Sequence, residues 1–115
     1  MTISKEFQSQ TTSVMETWLE ANRPPEHIRP QLDIGWRLEG QSLFIYEIRP
    51  DWKDASIIRN MDFAKATFVK SGNHWKVYWM RADLKWHPYP HLKIAKSLAR
   101  FLKEVDDDPH FCFKG

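Results

Sequence analysis

The chain alternates between two hydrophobic periods. From Ser4 to Ala21, Phe7, Thr11, Val14, Met15, Trp18 and Leu19 recur at helical spacing, while Glu6, Gln10, Glu16 and Glu20 fall mainly elsewhere on the wheel. This predicts an amphipathic helix capped by Ser4 and ending near Asn22, because Pro24 and Pro25 follow. The stretch from Arg23 to Pro30 reads as an ordered connection.

The period then changes to two. Leu32, Ile34 and Trp36 alternate with Asp33, Gly35 and Arg37; after Gly40, Phe44, Tyr46 and Ile48 alternate with Ile45, Glu47 and Arg49. Two strands of a hairpin follow from this alternation. A three-residue loop, Leu38-Glu39-Gly40, gathers Leu32, Ile34, Trp36, Phe44, Tyr46 and Ile48 on one face. Asp33, Arg37, Glu47 and Arg49 then share the other face with Ile45. A two-residue loop mixes these sets, so the longer loop is the expectation.

After a polar loop from Pro50 to about Met61, which contains Trp52, a second hairpin is expected. Its strands, Phe63–Lys70 and His74–Arg81, are joined through Ser71-Gly72. This register pairs Phe68 with Trp75, Ala66 with Val77 and Ala64 with Trp79 on an apolar face. Lys65, Thr67, Val69, Lys76, Tyr78 and Met80 take the other face. From His91 to Val105 helical spacing returns, with Ile94, Leu98, Phe101, Leu102 and Val105 as the buried stripe. Phe111-Cys112-Phe113 reads as a short edge strand or a cap on the core. Helix, hairpin, hairpin, helix is an α+β order: an N-terminal helix, a four-stranded antiparallel sheet and a C-terminal helix in one domain over residues 1–115.

Charge changes this picture more than composition does. Hydrophobic residues are 42%, aromatics 14% and charged residues 28% of the 115-residue chain, a globular composition. The net charge of +2 hides a segregation. Between Phe63 and Lys103 nine basic residues face one acid, Asp83, giving +8, while the segments before and after each sum to −3. A basic block of this kind is an electrostatic footprint for an anionic partner, unless the acidic ends fold back onto it. The lone Cys112 makes no internal disulfide and, between two phenylalanines, reads as a small buried hydrophobe. The first residues lack the apolar stretch of a signal peptide, and no apolar run is long enough to span a membrane. A cytoplasmic location is the expectation.

Glu47-Ile48-Arg49-Pro50 followed by Trp52, then Trp75-Lys76-Val77-Tyr78-Trp79 with Arg81-Ala82-Asp83-Leu84-Lys85-Trp86-His87, resemble an uncharacterised bacterial domain-of-unknown-function family. Gln31-Leu32-Asp33 and Leu38-Glu39-Gly40-Gln41-Ser42 fit it too. The resemblance covers nearly the whole chain. It implies a bacterial origin and a self-contained domain, and carries no activity.

The residues that best carry chemistry lie in the second hairpin and its exit: Lys65, Lys76, Tyr78, Arg81, Lys85, Trp86, His87 and Tyr89. Single-stranded nucleic-acid binders need cations for phosphates and aromatic planes for bases, and both are interleaved here. The same register places Trp75 and Trp79 in the core, which leaves Tyr78, Trp86 and Tyr89 as stacking platforms. A metal-free ribonuclease is the sharper version, with His87, Tyr89, Arg81 and Lys85 as proton-transfer and charge-stabilising groups. A metal-dependent nuclease has two weaker supports: Asp83-Leu84-Lys85, and Asp33 opposite Glu47-Ile48-Arg49, a set more common as a salt-bridge ladder. His87 and His91, separated by prolines, lack a third ligand nearby, so no metal or cofactor is expected. Asp106-Asp107-Asp108 reads as a solvated turn or a counterpart to the basic block. Trp52 suits a surface anchor or a plug for the open end of the sheet, and an exposed edge strand allows a homodimer. The pattern favours a non-enzymatic module binding RNA or single-stranded DNA, with a small nuclease or a dimeric protein-interaction module as alternatives.

Overall fold

The fold is taken from a computed structural model that describes residues 4–113. Ser4 caps helix α1 (Lys5–Asn22) by accepting a hydrogen bond from the Phe7 amide, as its hydroxyl permits one turn in. Thr11, Met15 and Trp18 form its buried stripe. The prolines that follow end it as expected, and the chain enters the sheet at Asp33.

Six strands follow: β1 (Asp33–Glu39), β2 (Ser42–Pro50), β3 (Ile58–Val69), β4 (His74–Met80), β5 (Trp86–Pro88) and β6 (Ile94–Ala95), with α2 (Leu98–Asp107) last. The sheet runs β1-β2-β3-β4-β5 with antiparallel pairing, and β6 shares the β4 edge with β5. The two expected hairpins join in one antiparallel sheet, and two short strands extend it. The four-strand count was short because the Trp86 and Ile94 segments are too brief to show a period. The loop expected from Pro50 to Met61 is shorter: β2 runs on to Pro50 and β3 begins at Ile58, so only residues 51–57 lie outside the strands.

The first hairpin corrects the expected register. Glu39 pairs with Ser42, so the loop is the two-residue Gly40-Gln41. Gly40 stands at φ +60°, which glycine adopts without strain at the first central position of such a turn. The apolar sets are mixed as a result. Trp36 and Leu38 lie beside Ile45 and Leu43 against the core, while Phe44 and Tyr46 lie beside Arg37 and Gly35 on the opposite face. The second hairpin keeps the expected partners, Phe68–Trp75, Ala66–Val77 and Ala64–Trp79. Its connection is a short 3-10 turn, Lys70–Gly72, closed by Asn73 in the left-handed region.

The second helix begins later than its hydrophobic spacing suggested. Ser97 caps it, accepting from the Arg100 amide, and Ile94 belongs to β6, where its side chain is exposed. Leu98, Phe101, Leu102 and Val105 face inward as predicted. Both helices pack on one side of the sheet. Met15, Trp18, Phe101 and Val105 meet Leu43, Ile45, Ala64, Ala66, Trp75 and Val77 in a single core, with the Phe7 ring stacked on Trp75. Phe113 closes that core against Tyr89, so the C-terminal Phe-Cys-Phe segment caps and does not pair. Among the described residues, no helix is long and apolar enough to cross a membrane.

Candidate nucleic-acid interface

The helices leave the other side of the sheet uncovered among the described residues. Strand alternation brings Arg37 from β1, Phe44 and Tyr46 from β2, Lys65 from β3, Lys76 and Tyr78 from β4 and Trp86 from β5 to this one face. Their rings and cations interlock. The Lys65 ammonium lies 5.1 Å from the Tyr78 ring centre, 5.5 Å from Phe44 and 5.9 Å from Trp86. The Arg37 guanidinium stacks 4.3 Å above Phe44, and Phe44 and Trp86 meet at 6.0 Å. Tyr46 lies flat across β1, because Gly35 beneath it has no side chain; a Cβ there would come within 2.8 Å of the phenol ring.

The charges on this face are unequal in freedom. Arg37 is forked onto Asp62 at 2.7 and 2.9 Å and also donates to Glu39, so both carboxylates are neutralised in place. Lys65 and Lys76 have no carboxylate partner of this kind among the described residues. A cation held only by ring faces can turn to a phosphate without first breaking a salt bridge. Lys76 and Tyr78 also edge a cleft of about 260 Å³, shared with Pro88, Lys93 and Ile94, where β5 and β6 part along β4.

Not all the predicted residues join this surface. Arg81 and Lys85 stand exposed in the turn between β4 and β5, at its margin, with Arg81 against the Trp79 ring. His87 pairs with Trp79 and so faces the helix side; its Nε2 lies 2.8 Å from Asp83, whose carboxyl this bond holds below its ordinary range. Tyr89 is a correction. It is fully buried, donates to Glu104 at 2.7 Å and packs on Phe113. Burial first, and then Glu104, push its phenol up, so it can neither stack on a base nor pass a proton to one. Prolines on both sides hid this, because they erased any periodicity that would assign a face.

The looser nuclease set also comes apart. Glu47 pairs with Ile34 and Asp33 with Ile48, so the two carboxylates expected on one face lie on opposite faces. Asp33 is buried and bound in a fork by Arg23 at 2.9 and 2.7 Å; this hydrogen bonding holds its carboxyl below the ordinary range. Glu47 pairs instead with Arg49. Among the described residues no three His, Cys, Asp or Glu side chains converge on a metal-sized site. The acidic run is used in place: Asp106 accepts from the Trp18 indole, Asp107 pairs with Lys103, and Asp108 accepts from the Phe113 amide. The basic residues of α2 are partly spent as well, Arg100 on Glu104 and Lys103 on Asp107. Cys112 is half-buried, and burial pushes its thiol up, away from reactivity.

Sequence reasoning missed Arg37, Phe44 and Tyr46. The signal was present in Gly40, since a glycine at the first position of a two-residue loop fixes the register that exposes all three.

Fold and surface together define an α+β domain with two helices on one side of an antiparallel sheet and an open aromatic-cationic face on the other. The chain belongs to the family described as domain of unknown function (DUF3024), whose model matches residues 4–115. No curated protein matches it. No solved structure matches it either.

Proposed function

We propose that the open sheet face binds single-stranded nucleic acid, RNA or DNA, without cleaving it, in the cytoplasm. The observation that carries this reading is the cluster of Phe44, Tyr78 and Trp86 around the Lys65 ammonium, which has no carboxylate partner among the described residues, on a face that neither α1 nor α2 covers. Bases stack on aromatic planes and phosphates seek cations, and a sheet spaces the two at intervals that a flexible strand can follow. A duplex hides its base faces and fits such a surface poorly. Lys85 at one margin, with Lys76 and Lys93 at the cleft, extends the positive track beyond the rings, while Arg81 lies over Trp79 toward the helix side. The free cations of the +8 block thus lie mostly around the sheet, while those of α2 are neutralised.

The test is affinity for a labelled single strand across a salt series. Binding should weaken as salt rises, because displaced counterions drive it. Trp86→Ala should cost about 1–3 kcal/mol, the worth of one stacked base. Lys76→Glu and Lys85→Glu should weaken binding and flatten the salt dependence. Binding that ignores salt and all three substitutions would sink the proposal, as would equal affinity for duplex.

A further inference from the structure

The distal half of the β2–β3 hairpin stands apart from the platform. β3 pairs with β2 from Ile58 onward, but its partnership with β4 begins only at Ala64. Along residues 58–63, one edge of β3 therefore has no strand beside it among the described residues. Natural edges of this kind carry lysine, proline or a covering loop to stop another chain from pairing with them. Among the described residues this one carries none of the three; its one irregularity is a bulge at Phe63, where Tyr46 faces Asp62 and Ile45 faces Ala64, which leaves residues 58–62 in regular register. Its two charged side chains are already satisfied within the chain, Arg59 by Asp51 at 2.6 Å and Asp62 by Arg37. Ile57, Ile58 and Met61 are exposed, and at the tip Trp52 is 87% exposed, which excludes the plug of its two expected roles and leaves the surface anchor.

We propose that this edge pairs with the same edge of a second copy, giving a homodimer through an antiparallel β-ladder over residues 58–63. The proposal stands independently of nucleic-acid binding. Three features select a second copy as the occupant. First, the gap is self-complementary. A strand entering antiparallel to β3 runs in the direction in which β4 would have continued, and an identical arm supplies that strand at the right length. Second, Asp51, Lys53, Asp54, Arg59 and Asp62, with the Arg37 bound to Asp62, sum to zero, so two arms meet without repulsion, whereas a polyanion finds no excess of cations there. Third, the arrangement accounts for exposed apolar groups at both ends of the gap. One copy's loop at residues 51–57 reaches the other copy's turn at residues 81–85. That turn presents Leu84, 77% exposed and held at φ +62°, a conformation that costs energy for a leucine. Trp52 and Ile57 of one arm then cover the Leu84 of the other.

A ladder centred on Asn60 or Met61 pairs residues of like parity, so both open faces point the same way. The dimer would present one doubled platform, without any change within either copy.

Sedimentation equilibrium over a protein concentration series tests this, on nuclease-treated protein in high salt so that no nucleic acid can bridge two copies. The wild-type chain should pass from monomer to dimer. Replacing Ile58→Lys and Met61→Lys together should raise the dimer dissociation constant about tenfold or more. Both side chains are exposed, and an unchanged thermal transition at low concentration shows that the fold is intact. Leu84→Asp should weaken the dimer without touching the ladder. A wild-type chain that stays monomeric to about 1 mM overturns the proposal, and so does a doubly substituted chain that dimerises as tightly as wild type. Neither result bears on the platform, because nucleic acid is absent throughout.

Discussion

The two faces of the sheet are nearly equal in aromatic content and opposite in what surrounds the rings. The covered face holds Trp36, Phe68, Trp75 and Trp79 among alanines, leucines and valines, and two helices close over it. The open face holds Phe44, Tyr46, Tyr78 and Trp86 among Arg37, Lys65 and Lys76. Small residues decide the first case: Ala64 and Ala66 leave room for helix side chains to reach the sheet, and both are fully buried. Long cationic stems decide the second, since they cover ring edges while keeping their charges in water. A tryptophan count alone therefore says nothing about function in this fold. The neighbours of each ring on its own face do.

The comparison breaks most visibly on the covered side. Phe101 is fully buried where α2 meets the sheet. Phe101→Ala removes a core ring and leaves a cavity, and should destabilise the fold by about 3–5 kcal/mol in urea unfolding. The loss should be insensitive to salt. If Phe101→Ala cost no more than a change on the open face, the division into a structural and a functional face would be wrong.

The edge of the sheet offers a comparison through acid. Asp33 opens β1, and its carboxylate takes the fork of Arg23 from the exit of α1, which holds its pKa below the ordinary 3.8. A depressed folded value means that the stabilisation is fully present above that ordinary value and disappears as pH falls through the folded one. Stability of the wild-type chain should therefore drop as pH is lowered from about 4. Asp33→Asn should be less stable at neutral pH and should show a shallower acid limb in thermal melts followed by circular dichroism. Parallel acid limbs for the two chains would remove Asp33 from the account.

How much of this was legible in the sequence varies with the kind of signal. The cap of α1 was legible, because Ser4 precedes a long periodic run and chemistry fixes what a serine does there. The second hairpin was legible too: Phe68, Ala66 and Ala64 can face Trp75, Val77 and Trp79 in one register only. The first hairpin was misread for a physical reason. Sorting apolar from polar residues assumes a sheet with one wet face, and here both faces carry rings, so the tidier three-residue loop lost to the turn that Gly40 prefers. The start of α2 was misread because Ile94 and Leu98 keep helical spacing across the strand–helix boundary, although Ser97 marks it. Tyr89 was misread because burial depends on Glu104 and Phe113, which approach it only through the folded chain. The free edge of β3 was invisible, since it depends on where β4 stops.

The smallest change sharpens the comparison most. Lys65→Met keeps the stem against Phe44, Tyr78 and Trp86 and removes only the charge. At a half-buried site a cation–π contact contributes about 0.5–1 kcal/mol, so the melting temperature should move by only a few degrees. Binding should respond differently. One fewer cation on the strand lowers the slope of log affinity against log salt by about 0.7, the value for one phosphate contact on a single strand. The rings stay in place, so affinity at high salt, where stacking dominates, should be nearly that of wild type. Trp86→Ala has the opposite signature: affinity falls at every salt concentration and the slope is kept. If the two variants gave the same pattern, cations and rings would not be separate contributors, and the interleaving of the open face would be a matter of solubility rather than recognition.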